Sequence, residues 1–423
     1  MPSTASPPLR GDLGGLFMKI RHILPILAFV TISYLGYTLY AGTNNDITIT
    51  THDNIIQVTT DFRPEIQEFL DNYEEFYLNR FKECGSVGGA LAIVYKGQVV
   101  HLKGYGVKKI NTKDSVDVNT VFRLASVSKG FTGVLGAILH KKQLLDLDTP
   151  CVAYLPDMKL QRQVNTNTVT LRNTLSHTTG LTAYSFDKHV EAGASFNTIF
   201  QQLAQANVQC NPGTTFAYQN VMFSLIDTIV RKQLQKSYAE LMQDFVFEPL
   251  GMTDASATFE GFKSSGNFAY PHRGYAKGTA VVKLNNRYYQ TAPAAGINAS
   301  IADMSKYLQA LLGFAPTVFS PEVLRDIAVP RVKMPLKNVT NQIWGNLSDR
   351  AYGMGWRIFT SHGNTIMYHG GFVEGYRAEI AFCADQQIGI VFLQNSANTL
   401  ALEAAPTFMN MFFEYLPDLV ARR

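Results

Sequence analysis

Ser126 and Lys129 stand three residues apart in V-F-R-L-A-S-V-S-K-G-F-T-G. A serine hydroxyl is a poor nucleophile near neutral pH and needs a nearby base to take its proton. On a helix that begins at Ser126, both side chains fall on one face, a turn apart. The serine then sits at a helix amino terminus, where the dipole favours developing negative charge. A lysine held there, partly desolvated and near other cations, can lose its proton at working pH and act as the base. The pair alone is thin evidence, because a chain of this length contains S-x-x-K about once or twice by chance. A second copy does occur at Ser185-Phe186-Asp187-Lys188. Its setting is polar and loop-like, with Asp187 available to keep Lys188 charged, so it is set aside as a site.

The company Ser126 keeps is more specific. T-V-F-R-L-A-S-V-S-K-G-F-T-G resembles, almost residue for residue, the nucleophile segment of the class C β-lactamase and D-alanyl-D-alanine carboxypeptidase family of serine hydrolases. N-P-G-T-T-F-A-Y-Q-N resembles the second motif of that family, so Tyr218 and Asn220 match its Y-x-N pair. L-S-H-T-T-G-L (175–181), F-E-P-L-G-M-T-D (247–254), A-A-G-I-N-A-S-I-A-D-M (294–304) and Y-G-M-G-W (352–356) resemble its framework segments, and the likeness runs from about Gly88 to Asn395. The resemblance implies that the Tyr218 phenol, near Lys129, passes a proton to the leaving group and later activates water. Asn220 would orient a substrate amide or the lysine. A second Y-x-N, Tyr77-Leu78-Asn79, lies upstream in a helical stretch where Tyr77 fits the apolar face, and reads as core.

The third motif departs from β-lactamases. No K-[ST]-G occurs, and the matching place is Tyr368-His369-Gly370-Gly371-Phe372, with His369 standing for the lysine. Sequences resembling this one with histidine there include esterases and D-amino-acid peptidases or amidases. A permanently charged ammonium that grips a substrate carboxylate is thereby exchanged for an imidazole titrating near pH 6.5. Gly371 leaves room for substrate along a strand edge. The resemblance also implies an oxyanion hole of backbone N–H groups at Ser126 and about Phe372. Substrate-binding residues are therefore expected at Asn220, His369, Gly370, Gly371 and Phe372.

The elements that must position these groups can be read from periodicity. Apolar residues recur at helical spacing from Arg63 to Lys82. The runs 88–95 and 98–102, separated by Lys96-Gly97, read as a β-hairpin. Gly104 and Gly106 follow, and read as a turn, since no further glycine makes them a nucleotide fingerprint. Helices are expected at Lys129–Lys141, Leu171–Leu175, Phe196–Ala206, Val221–Gln235 and Tyr238–Phe247. Strands are expected at Gly355–Phe359, Thr365–Tyr368, Tyr376–Phe382 and Ile388–Leu393, and a last helix at Leu400–Tyr415. Strands at both ends with helices between predict an α/β (α+β), β-lactamase/transpeptidase-like fold. One antiparallel sheet would be drawn from both chain ends, with helices on its faces and an inserted helical lobe.

Residues 18–41 carry Lys19 and Arg21 ahead of an uncharged apolar run from Ile23 to about Tyr40. The run exceeds a signal-peptide core of roughly 7–15 residues and approaches the roughly 18–20 that span a bilayer. A small-x-small cleavage site is absent, and the flanking charges orient the remainder outward. The expected organisation is a dispensable or mis-called start (1–17), a signal-anchor segment (18–41), a polar linker (42–62) and a hydrolase domain (63–423). That places the catalytic domain outside the cytoplasm, on the periplasmic side of a bacterial inner membrane, or cleaved and secreted.

The 423 residues are 46% hydrophobic and 17% charged, a globular composition. Of the net charge of +4, residues 1–41 carry +2 (Arg10, Lys19 and Arg21 against Asp12) and the remainder only +2. That balance offers nothing to a nucleic acid. Cys84, Cys151, Cys210 and Cys383 form no C-x-x-C pair, though an exported protein could join them in up to two disulfides. Histidine spacing suits no metal, and no H-E-x-x-H or G-x-S-x-G occurs. The sequence therefore predicts a serine hydrolase without cofactor, acting on a small-molecule or peptide substrate. It would cleave an ester or small amide through a Ser126 acyl-enzyme, with β-lactamase or D-alanyl-D-alanine carboxypeptidase activity, or a non-catalytic penicillin-binding role, as alternatives.

Overall fold

The computed structural model describes residues 47–51, 54–58, 63–274, 278–335, 343–345 and 347–421. The expected anchor at 18–41 lies outside them; among the described residues no helix is long and apolar enough to cross a membrane.

The main sheet has ten strands among the described residues: β1 (Ile47–Thr51), β2 (Asn54–Val58), β3 (Gly88–Tyr95), β4 (Gln98–Gly106), β5 (Val332–Lys333), β6 (Leu347–Tyr352), β7 (Arg357–Ser361), β8 (Asn364–Val373), β9 (Tyr376–Cys383) and β10 (Ile388–Gln394). Their order across the sheet is β1-β2-β4-β3-β10-β9-β8-β7-β6-β5. The join between the chain ends is β3 on β10, antiparallel, with Ile93 opposite Ile390. Both strands are buried along their whole length, which is why they read as continuous apolar runs.

One face of the sheet is covered by the terminal helices α1 (Arg63–Glu83) and α6 (Leu400–Ala421). They meet through Phe69 and Phe408, ring centroids 5.2 Å apart, and through Tyr73 Oη donating to Ala404 O. The other face carries the helical part of the chain. Its central helix α2 (Ser128–Lys141) is buried from Ser128 to Leu139. It also includes the helices α3 (Leu225–Leu234), α4 (Ile301–Leu311) and α5 (Pro321–Ala328).

Several boundaries move. Residues 42–62, expected as a linker, include β1 and β2; the β-branched alternation I-T-I-T-T suits a strand, and β2 pairs in parallel with β4 at Val58 and Val99. Gly104 and Gly106 are not a turn but part of β4. A Cβ on Gly104 would stand 2.3 Å from Val116 O, so the glycine serves close backbone approach within a strand. The expected helices 196–206, 221–235 and 238–247 each break into an α-helical piece and a turn of different pitch. Tyr77 is fully buried in the core, as its periodicity predicts. All four cysteines are free.

Candidate active site

Ser126 lies in a tight helical turn (Ala125–Val127) that runs into α2, and Ala125 before it adopts φ +49°. A left-handed non-glycine residue costs of order 1–3 kcal/mol and persists only where its surroundings enforce it. β8 supplies the enforcement: a Cβ on Gly371 would stand 2.2 Å from Leu124 O and 3.1 Å from Ser126 N. Glycine at 371 thus lets the strand edge lie directly against the nucleophile turn.

Lys129 occupies the first turn of α2, entirely buried. Its Nζ lies 2.7 Å from Asn220 Oδ1, 3.0 Å from Ala294 O and 3.4 Å from Ser126 Oγ. The A-A-G framework segment thus supplies a backbone acceptor at Ala294, and just beyond it Ile297 N–H donates to Ser128 Oγ. Burial drives the Lys129 pKa well below its ordinary value; Asp187 opposes this and Arg357 adds to it. Nζ has three acceptors around it; on loss of a proton, Asn220 and Ala294 match the two hydrogens that remain and the lone pair is left to the serine hydroxyl.

Tyr218 donates from Oη to Ser126 Oγ over 2.8 Å, and its ring stands 4.5 Å from Lys129 Nζ. Burial raises the phenol pKa, with Arg357 and the Ser126 bond pulling the other way, so the group is a proton donor. Behind it sits His177 of the L-S-H-T-T-G-L segment, fully buried, its ring 4.4 Å from that of Tyr218. Its Nδ1 accepts from Gln219 N–H, and burial holds it neutral. That segment fixes the tyrosine.

A cleft of about 590 Å³ opens over these groups, lined among others by Ser126, Tyr184, Asp187, Tyr218, Asn220, Trp344, Arg357, Gly370, Gly371 and Phe372. The geometry thus brings together seven of the eight residues expected from sequence: Lys129 beneath the cleft, and Ser126, Tyr218, Asn220, Gly370, Gly371 and Phe372 on its surface. His369 differs. It is 0% exposed, beneath the cleft instead of in it. The alternation of β8 turns Gly370 and Phe372 to one side and His369, with Gly371, to the other, where the imidazole is covered and only the side-chain-free Gly371 leaves an opening. Its Nε2 is 3.2 Å from Tyr352 Oη and its Nδ1 2.9 Å from Gly370 O. Burial first, then Arg357 and Lys129, depress its pKa well below the usual histidine range, so it is neutral.

Arg357 and Asp187 are among the cleft residues not picked out from sequence. Arg357 directly follows Y-G-M-G-W and pairs across β7 and β8 with Tyr368, a signal visible once the strands are aligned. Asp187 belongs to the rejected S-x-x-K copy. It is not the partner expected for Lys188: its Oδ2 accepts from Asn220 Nδ2 over 2.7 Å, while Ser185 Oγ donates to Thr182 O. Lys188 itself is exposed. Elsewhere, His140, Asp146 and Asp148 bring ligand atoms within 4.8 Å of one another. Both carboxylates are already used, Asp146 by Thr149 Oγ1 and Asp148 by Arg172, so nothing there points to a bound ion.

A serine backed by a buried lysine and a tyrosine, between a helical lobe and a sheet edge, defines the class of protein: a penicillin-recognising serine-hydrolase fold. The profile of the Beta-lactamase family matches residues 64–408, and the chain belongs to that family. It is similar to Protein flp of Staphylococcus aureus (strain COL), 25% identical over 311 residues, covering 73% of this chain and 59% of that protein. It is likewise similar to the unguisins hydrolase ungD' of Aspergillus campestris, 25% identical over 361 residues, covering 82% of this chain and 63% of that protein. The chain therefore spans about three fifths of the length of these relatives. An octameric penicillin-binding protein homologue from Pyrococcus abyssi shares the fold, with TM-score 0.70 at 22% identity over 82% of this chain and 77% of that one.

Proposed function

We propose that this protein hydrolyses an ester or a small amide or peptide bond through an acyl-enzyme on Ser126. The observation that carries this reading is the convergence of two proton-transfer groups on one oxygen: Ser126 Oγ lies 3.4 Å from Lys129 Nζ and accepts from Tyr218 Oη over 2.8 Å. Ser126 Oγ attacks the carbonyl carbon while its proton passes to Lys129 Nζ. The carbonyl π electrons move to oxygen, and backbone N–H groups at Ser126 and Phe372 stabilise the resulting oxyanion. As the intermediate collapses, the bond to the leaving group breaks. Tyr218 Oη supplies the proton that the leaving group needs and recovers one from Lys129. Water then attacks the Ser126 ester by the same route in reverse.

A β-lactamase or D-alanyl-D-alanine carboxypeptidase is the second reading, favoured by the family membership. The absence of K-[ST]-G and the burial of His369 weigh toward the ester or amide. The basic-flanked apolar run at 18–41 supports an anchored or exported enzyme. A fluorophosphonate probe tests the mechanism: wild type labels and Ser126→Ala does not. Equal labelling of the two proteins would falsify it. A nitrophenyl ester, a chromogenic cephalosporin and a D-Ala-D-Ala peptide then separate the substrate classes.

A further inference from the structure

Arg357 sits on β7 and lines the cleft beside Tyr218 and Gly370. Its Nη1 is 3.3 Å from His369 Nδ1, and its guanidinium carbon stands 5.9 Å from the ring centroids of both Tyr218 and Tyr368. Among the described residues no carboxylate comes within ion-pair distance of it, and no hydrogen bond engages Nε or Nη2. Arg377, the other arginine of the cleft, is differently placed, 4.2 Å over the ring of Phe372.

A half-buried guanidinium without a counter-ion is costly, since desolvation is not offset by a partner. Such a group facing a reactive cleft marks where a ligand brings the missing charge. The planar fork of arginine, with one edge held and the other open, suits an oxyanion that accepts two parallel N–H bonds. The same cleft is lined by Asp187, Glu191 and Glu379, so a dianion such as a phosphate ester meets more repulsion there than a monoanion.

We propose that Arg357 is the anion-binding residue of this cleft and that the acyl donor carries a carboxylate. This rests on the reading that substrate occupies the Ser126 cleft. His369 is the positioning residue: packed between Tyr352 and β8, it holds one edge of the guanidinium. With its proton on Nε2 toward Tyr352, Nδ1 accepts from Arg357. With the proton on Nδ1, the ring donates instead to Gly370 O and the guanidinium is released from it. A protonated ring would donate at both nitrogens and repel Arg357, so neutrality is a condition of the arrangement.

The test separates binding from chemistry by using Ser126→Ala protein. Two stable probes, glutaric acid monoanilide and its neutral carboxamide, are titrated by calorimetry at pH 7. The carboxylate probe should bind about tenfold or more tightly than the carboxamide. Adding Arg357→Gln should bring that ratio to about one, while Arg357→Lys retains part of it. His369→Gln should weaken the carboxylate probe more than the neutral one, which a merely structural role would not do. Equal affinities, equal weakening of both probes by Arg357→Gln, or no measurable binding of the carboxylate probe at millimolar concentration each overturns the proposal. Loss of Ser126-dependent fluorophosphonate labelling, with the carboxylate preference intact, would instead overturn the hydrolase reading alone.

Discussion

The Tyr218 hydroxyl donates to Ser126 Oγ across 2.8 Å, although the two residues stand 92 positions apart in the chain. Lys129 Nζ approaches the same oxygen from the helix that Ser126 opens, at 3.4 Å. Ser126 Oγ therefore has an amine on one side and a phenol on the other, the two groups that the proposed mechanism uses as base and acid. Burial disfavours the charged form of each, lowering the pKa of the lysine and raising that of the phenol.

Replacing Tyr218 by phenylalanine should leave the ring packed on His177 and remove only the proton relay. Turnover of an ester substrate is expected to fall by about a hundred- to ten-thousandfold. Stopped-flow acylation and deacylation rates with a nitrophenyl ester check this. A variant acting at wild-type rate would exclude the phenol from proton transfer.

The Lys129 base should impose an acidic limb on acylation, since only the neutral amine takes the serine proton. Its folded pKa is depressed, so the rate rises as pH climbs through that value. Asp187 opposes the depression. Asp187→Asn should therefore shift the limb to lower pH, read from fluorophosphonate labelling rates across a pH series. A shift to higher pH would contradict the assignment of Lys129 as base.

Gly371→Ala introduces a Cβ into the space held by Leu124 O and Ser126 N. Strand and nucleophile turn must separate, costing about 1–3 kcal/mol of stability. Displacement of the serine by a fraction of an ångström to 1 Å should slow labelling by up to about a hundredfold. Thermal denaturation and labelling kinetics report the two effects separately.

Glu379 is buried between Tyr368 Oη, 2.5 Å away, and Ala405 N–H at 3.1 Å, and burial pushes its carboxyl up to about 7. A raised acid binds more protons in the folded than in the unfolded state between about pH 4.5 and 7. Wild type should lose about 3 kcal/mol relative to Glu379→Gln as pH rises through that window. Chemical denaturation of both proteins at pH 4.5 and 7.5 measures the difference in slope; parallel curves would show that Glu379 is already ionised at the lower pH.

The candidate site was legible from local spacing because Ser126 and Lys129 stand in consecutive helical turns, and because the motifs keep their order along the chain. Ser126 and Lys129 followed from S-x-x-K, Tyr218 and Asn220 from Y-x-N, and the sheet from apolar runs that pair on both faces. Asp187 was passed over because sequence proximity ties it to Lys188, whereas the fold turns it to Asn220. His369 was read as a cleft residue by its place in the motif, yet the two-residue period of β8 sets it behind Gly370. The phase of that alternation relative to the cleft depends on β7 and β9 and on the approach of Gly371 to Ser126, none of which is local.

From its residues alone, then, the chain specified the proposed nucleophile and base as candidates and much of the order of elements, because these depend on spacing within a turn or a strand. Tertiary structure decided which charges face the cleft. Burial lowered the pKa values of Lys129 and His369, and strand pairing brought Arg357 to the surface that His369 was expected to hold. Desolvation and cross-strand register act between segments far apart in the chain, and for that reason no local pattern encodes them.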